Sequence, residues 1–345
     1  MNRKRPLRLR SLLWLLALPP LVWAGSRLPW GEVWARLRGL SAWELLALFS
    51  LNCIIFALFS GRWWLILRAQ GYRVSFPALA GYRLAAFGIT YITPGPQFGG
   101  EPLQVYLVRA RQGVPGSVSL AAVAVDKLYE LLGNLAFAAF GIFVILERGL
   151  FGVETLGTWT ARLPLLGAGL LLLPAGYMAT LWLGRRPLSA LAGRLRLKGR
   201  GARAAALIRT SEAQAGDFFH KKPAAGLLVG ALSLLTWAAM LGEYWLALRL
   251  LGLQLDPLQT VAALTAARLA FVLPSPAGIG TLEASQILAL QALGAGTAAG
   301  VSASLLIRVR DTGFAALGLW LGALLLSVEK TGQPPGSQLQ AGSEG

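Results

Sequence analysis

Cysteine and histidine are almost missing from this sequence: Cys53 and His220 are the single examples in 345 residues. One cysteine excludes an intramolecular disulfide framework, and one histidine excludes a His-rich metal centre. Metal chemistry would have to rest on carboxylates alone, and we expect neither a metal nor a cofactor. Charge is scarce as well, at 14% of residues, far below the roughly 25% of an ordinary soluble domain. Acids are scarcer than bases, 15 against 32, giving a net charge of +17. The excess of base does not point to nucleic acid, because the Lys and Arg residues lie mostly between apolar spans with no aromatic-basic binding motif. No Walker loop, HExxH, GxSxG or dinucleotide fingerprint stands in a convincing context. ATP coupling within the chain is therefore unsupported, and no catalytic residue is assigned.

What the sequence has is apolar length. Hydrophobic residues make up 55% of it, and stretches near the roughly 20 residues of a membrane-crossing helix recur throughout. The expected fold is all-α, a polytopic transmembrane helix bundle. Hydropathy gives full crossings at about 10–25, 42–60, 118–146, 163–183, 224–251 and 297–327. The basic N-terminal stretch resembles a signal peptide but lacks a convincing cleavage site, so it is read as a retained first span. One integral membrane domain is expected over 1–330, with halves at about 42–183 and 224–327. A basic linker, 184–222, joins them, and a polar Pro/Gly-rich tail, 331–345, is expected to be disordered.

The basic stretches give an orientation. Arg3, Lys4, Arg5, Arg8 and Arg10 precede the first span, and ten Lys/Arg lie in the linker, so both segments belong in the cytoplasm. That puts the N- and C-termini inside, in the cytoplasmic membrane. Arg62, Arg68 and Arg73 are then expected at the inner surface, whereas Arg27, Arg36 and Arg38 run against the rule. The linker reads either as plain topology signal or as an amphipathic helix on anionic lipid. Most tryptophans, among them Trp30, Trp34, Trp43, Trp63, Trp64 and Trp182, lie near span ends and are expected as interfacial anchors.

Two further apolar regions, about 77–110 and 258–295, are interrupted. The first break reads YITPGPQFGGEPLQVYLV (91–108) and the second FVLPSPAGIGTLEASQIL (271–288). Both run from apolar residues through two prolines and glycines to an acid that opens a new helix, Glu101 or Glu283. Proline removes a backbone donor and glycine relaxes steric limits, so each run should unwind the helix. Unwound backbone at membrane depth must be buried in protein or face a water-filled cavity. The expected form is two re-entrant hairpins entering from opposite faces. Asp126 follows Glu101 by 25 residues and Arg308 follows Glu283 by the same number. Asp126, Glu130 and Asn134 share one helix face, as do Ser304, Arg308 and Thr312. Interrupted segments at matching places of two opposed halves mark an inverted-repeat transporter site.

The intramembrane charges, Glu101, Asp126, Lys127, Glu130, Glu243, Arg268, Glu283, Arg308, Arg310 and Asp311, should therefore face the interior. The simplest pairing sets an acidic first half against a basic second half, for example Asp126 or Glu130 with Arg308. Structural readings stand beside this one. Glu101 and Glu283 are ordinary first-turn helix acids, and Lys127 with Glu130, or Arg308 with Asp311, are i, i+3 pairs that could neutralise each other.

At TPGPQFGGEPLQVYLV, VDKLYE, LPSPAGIGTLEA and RVRDTG, in that order, the sequence resembles the membrane domain of lysylphosphatidylglycerol synthases and the wider flippase-like family. Where members often carry a basic residue just after the first GE, this chain has Gln104 nearby. Full synthases append a soluble aminoacyl-transferase domain, and the chain ends soon after its last span. The resemblance thus implies the lipid-translocating part without synthase chemistry. The expected partners are anionic or phosphate-headed membrane lipids, with no nucleic acid and with envelope-lipid biosynthetic enzymes as further candidates. The expected headgroup site comprises Gly99, Gly100, Glu101, Asp126, Lys127, Glu130, Gly278, Gly280, Glu283, Arg308 and Asp311, with Arg308, joined by Arg268 or Arg310, on the phosphate. Two other functions fit the same features: a membrane-embedded transferase with Glu101 or Asp126 as base, and a non-transporting scaffold that docks enzymes through its linker.

Overall fold

The computed structural model describes residues 28–93, 98–150, 159–194, 199–273 and 275–331. The expected first crossing at 10–25, Pro94, Pro96 and Pro274 of the breaks, and the tail beyond 331 lie outside the described residues. Among the described residues every regular element is helical. The protein is an all-α polytopic membrane helix bundle. In chain order its helices are α1 (Trp30–Arg38), α2 (Ala42–Ala69), α3 (Phe76–Ile92), α4 (Glu101–Gln112), α5 (Gly116–Glu147), α6 (Trp159–Trp182), α7 (Pro187–Arg194), α8 (Arg200–Lys221), α9 (Pro223–Leu250), α10 (Pro257–Ala270), α11 (Thr281–Ala292) and α12 (Thr297–Thr331). Among the described residues four helices are long and apolar enough to cross a membrane: α2, α5, α9 and α12.

Local chemistry explains where they start. Ser41 and Glu44 form a reciprocal capping box at α2, and Asp256 and Gln259 form another at α10, each satisfying amides that a helix end leaves open. The two interrupted regions are helical hairpins, α3–α4 and α10–α11, whose arms pack together. α4 and α11 have 12 residues each, a rise of roughly 18 Å at 1.5 Å per residue. Neither arm alone bridges the roughly 30 Å hydrocarbon core.

The hairpins interlock the halves. α3 packs most extensively against α12 of the second half, and α10 packs against α5 of the first. The α3–α12 seam is made of small residues: a Cβ at Gly88 would lie 2.7 Å from the Leu319 amide nitrogen, and one at Gly318 would lie 2.0 Å from the Leu84 carbonyl oxygen. Such close backbone approach is how helices associate where lipid tails compete equally for apolar contact. The helices α2 and α9 complete the inner ring by packing on each other. Two large apolar cores result, one around Trp63, Leu67, Leu107 and Val125, the other around Tyr244, Leu264, Leu282 and Leu290, with a smaller cluster at Val33, Ala298 and Val301. The polar residues gather between them.

Two expectations change, and the reading of the linker gains detail. Arg62 does not sit at the inner surface, because α2 continues past residue 60 to Ala69 and buries the Arg62 side chain to 2% exposure. Trp63 is a core residue at 1% exposure rather than an interfacial anchor. The linker forms α7 and α8, and α8 packs on α5, α6 and α7. Its Glu212 is buried and accepts bonds from the Leu188 and Ser189 amides at the start of α7 and from the Tyr177 hydroxyl.

Candidate functional site

A cavity of about 240 Å³ lies between the hairpins and the long helices. Eight charged side chains line it: Arg83, Glu101, Lys127, Glu130, Glu243, Arg268, Arg310 and Asp311. Apolar and aromatic residues fill the rest of the wall, including Phe56 and Phe314, whose rings stack at 5.9 Å.

Each hairpin presents its acid in the same way. Glu101 accepts from the Gly99 amide at 2.7 Å, and Glu283 accepts from the Gly280 amide at 2.8 Å, so each carboxylate closes the start of its own helix. Each also binds a cation on the long helix that follows. Lys127 reaches Glu101 at 3.0 Å, and Arg308 reaches Glu283 through Nε at 2.7 Å and Nη2 at 3.0 Å. Both acids are thus helix-terminal groups and interhelix clamps together. The counterpart of Arg308 is Lys127, one residue beyond the Asp126 that equal spacing selects.

The breaks fold tightly to bring these groups in. A Cβ at Gly100 would fall 2.2 Å from the Ala86 carbonyl oxygen, so only glycine lets the arms of the first hairpin meet. In the second break Ala277 and Gly278 have φ of 53° and 67°, a left-handed turn that is unusual for alanine. It aims the carbonyls of both residues at the Arg308 guanidinium.

Deeper in the bundle, Asp126 binds Arg62 Nε at 2.6 Å and Arg83 Nη2 at 2.9 Å. Glu130 binds Lys127 at 2.9 Å and stands 3.6–3.7 Å from Arg62 and Arg83. On the other side Arg310 bridges Asp311 at 2.8 Å and Glu243 at 3.1 Å, and Asn52 donates to Glu243 at 3.2 Å.

The expected pairing of Asp126 or Glu130 with Arg308 is not what forms. The acids of the first half find bases of the first half, and Arg308 is held by Glu283. The direct link between the clamps is weak: Tyr91 meets Thr312 at 3.2 Å and Arg308 at 3.5 Å. Of the expected site residues, Gly100, Glu101, Lys127, Glu130, Gly278 and Asp311 line the cavity, while Gly99, Asp126, Gly280, Glu283 and Arg308 do not. Asp311 pairs with its neighbour Arg310 rather than with Arg308. Sequence reading missed two arginines of the site: Arg62, assigned to a surface loop, and Arg83, passed over within an apolar run. Arg83 stands about two turns into the hairpin arm amid apolar residues, the same signal that selected the other intramembrane charges. Among the described residues no group of three or more His, Cys, Asp and Glu is arranged to hold a metal ion.

These features define a class: a multi-pass membrane protein whose two broken helical hairpins wall a charged interior cavity. The chain belongs to the family described as the lysylphosphatidylglycerol synthase TM region, which matches residues 11–318. Its relatives include a UPF0104 membrane protein of Methanothermobacter thermautotrophicus, 33% identical over 130 residues, or 38% of this chain and 35% of that protein. Another UPF0104 membrane protein, from Methanocaldococcus jannaschii, is 27% identical over 99 residues, covering 28% of this chain and 30% of that protein. Both alignments span well under two thirds of the relative's length.

Proposed function

We propose that this protein moves a phosphate-headed lipid, a phospholipid or an isoprenoid-linked one, between the leaflets of the cytoplasmic membrane, with both termini in the cytoplasm. The observation that carries the reading is the cavity lined by eight charged side chains between two hairpins of opposite halves. A charge near the bilayer centre costs about 2.5–3.5 kcal/mol on the insertion scale. Ion pairs that only held helices together could be replaced by apolar packing at little loss, and they would have no need to border a cavity. Charged walls around a hollow suit a polar headgroup in transit.

The headgroup would occupy the cavity while its chains stay in the bilayer. Phe98, Val272, Leu273 and Ile279, at the hairpin breaks, are large apolar side chains exposed on the protein surface, a flank that suits acyl or prenyl chains. When the cavity is empty, Lys127 and Arg310 each rest between two carboxylates, so these two cations are neutralised in the unloaded state. The family description, which ties this region to synthases of an aminoacylated phospholipid, supports a lipid substrate. We read the chain as a transporter rather than an enzyme, with membrane lipids as its partners and envelope-lipid enzymes as candidates for docking on α7 and α8.

The test is reconstitution of the full chain into liposomes carrying head-labelled lipids, with a membrane-impermeant quencher reporting transfer between leaflets. Transfer of an anionic phospholipid, slowed in Glu101→Gln, is expected. Folded protein that moves none of the phosphate-headed lipids tested sinks the reading.

A further inference from the structure

A second, smaller pocket of about 30 Å³ adjoins the main cavity. Phe59, Glu130, Met240 and Arg268 line both spaces, and Arg62, Asn134, Ser233, Thr236 and Trp237 complete the smaller one. Its wall holds two guanidinium groups and one carboxylate.

Neither arginine has its donors used up. Arg268 comes within 4.0 Å of no carboxylate among the described residues. Its contacts are Met240 Sδ at 3.0 Å and the face of Trp237 at 5.5 Å, and neither neutralises it. Arg62 gives Nε to Asp126 and Nη1 to Ser233, and its Nη2, fully buried, has no hydrogen-bond partner, with Glu130 3.6 Å away. A buried donor without an acceptor is costly, and buried polar groups are nearly always satisfied by something. The Ser233 and Thr236 hydroxyls already donate to Val229 and Leu232 carbonyls, leaving their lone pairs but no protons for the pocket. What is unsatisfied here is a buried Arg62 donor beside an Arg268 charge with no close carboxylate, and the two together suit an anion.

We propose that Arg268 and Arg62 form an oxyanion subsite opening off the main cavity, and that it takes the phosphate group of the transported headgroup. The pocket has room for about two waters, so it admits phosphate oxygens while the rest of the headgroup stays in the main cavity. Guanidinium groups suit this role because their planar forks match phosphate geometry. Arg268 is the residue that distinguishes a phosphate-headed lipid from a neutral one, whereas Arg308, with Nε and Nη2 on Glu283 and further bonds to two carbonyls, is committed to holding the second hairpin. The lipid arm of this assignment rests on the translocation reading, and the anion arm does not.

The full chain in mild detergent is titrated with inorganic phosphate at constant ionic strength, following its thermal midpoint. In parallel, the chain in nanodiscs is tested for enrichment of phosphatidylglycerol over diacylglycerol. Arg268→Gln is expected to weaken both by tenfold or more, and Arg268→Lys by less. Asn134→Asp, which places a carboxylate in the pocket without touching Arg268, is expected to do the same and carries the test if Arg268→Gln fails to fold. Arg68→Gln, an exposed arginine on α2, is the control. Loss of phosphate binding with unchanged phosphatidylglycerol enrichment would make this a free-anion site and overturn the lipid assignment. Unchanged binding of both in the folded variants overturns the subsite altogether. Wild type that binds phosphate yet moves no lipid would remove the translocation reading and leave the anion site standing.

Discussion

In the first half of the molecule a base on the helix before the hairpin, Arg62 of α2, meets an acid on the helix after it, Asp126 of α5. In the second half the signs are reversed, and Glu243 of α9 meets Arg310 of α12. Arg62 and Glu243 each lie 20 residues beyond the first residue of their helices, Ala42 and Pro223. The repeat therefore keeps the position of a central ion pair but not its polarity. The hairpin clamps behave differently, with an acid on the short helix and a base on the long one in both halves. A clamp acid must also cap its own helix, and only a carboxylate at a helix N-terminus gains from the dipole there. The central pairs carry no such requirement, so their polarity is free to differ.

The halves also differ in how redundantly their central charges are held, and that sets the largest expected effect. Asp126 is the carboxylate hydrogen-bonded by both buried arginines, with Glu130 farther off at 3.6–3.7 Å, so Asp126→Asn removes the close ion pair of Arg62 and of Arg83. A loss of about 3–5 kcal/mol is expected, the range for breaking a buried pair from one side. Glu243→Gln leaves Arg310 with Asp311 and is expected to cost about 1.5–3 kcal/mol, the worth of a charged hydrogen bond. Thermal midpoints and folded yield in detergent measure both, and equal losses would break the comparison.

The clamps come next. Glu283 receives two bonds from one guanidinium, whereas Glu101 receives one from an ammonium that keeps Glu130. Glu283→Gln is expected to cost about 1.5–3 kcal/mol and Glu101→Gln about 0.5–1.5 kcal/mol. Hydrogen exchange resolves them locally, through the first amides of α11 and of α4. Faster exchange at α4 than at α11 after the paired substitutions would contradict the bidentate clamp.

Much of this architecture could be read from the sequence, because hydropathy and Pro/Gly punctuation are local signals. The crossings at 42–60, 118–146, 224–251 and 297–327 correspond to α2, α5, α9 and α12, and the two breaks fall between hairpin arms. The clamp acids Glu101 and Glu283 were visible as charges opening helices after a break. Their partners were not, since a spacing rule carries an error of one residue and one residue turns a helix face by about 100°. That single step separates Lys127, which lines the cavity, from Asp126, which does not. Arg62 was hidden for another reason: a base near a span end looks the same whether the helix stops there or runs on for two more turns. Arg268 was legible as a candidate for the phosphate, but its pocket with Arg62 was not, because the lining comes from α2, α5, α9 and α10.

The seam between halves gives a smaller effect with a sharp internal control. Gly318→Ala pushes a Cβ into the Leu84 carbonyl and is expected to cost about 1–3 kcal/mol through overpacking. Gly313→Ala, on the same helix with no atom within 4 Å of the added Cβ, is expected to be neutral or to stabilise by up to about 1 kcal/mol through helix propensity. The opposite signs should appear in thermal midpoints, and a loss at Gly313 as large as at Gly318 would remove the packing argument.

The smallest effect tests whether the clamps communicate. Tyr91 at the end of α3 is the side chain that touches Thr312 and, at 3.5 Å, Arg308, so it bridges the first hairpin to the second half's clamp. Thr312 is exposed, and an accessible neutral hydrogen bond is worth about 0.5–1.5 kcal/mol. Tyr91→Phe should therefore lower stability at the bottom of that range, and a double-mutant cycle with Thr312→Val should return a coupling of similar size. Its effect on lipid transfer should be larger than its effect on stability, because Tyr91 also lines the cavity and moves with whichever hairpin moves. A cycle that returns no coupling, with transfer unchanged, would mean that the two clamps act as independent halves.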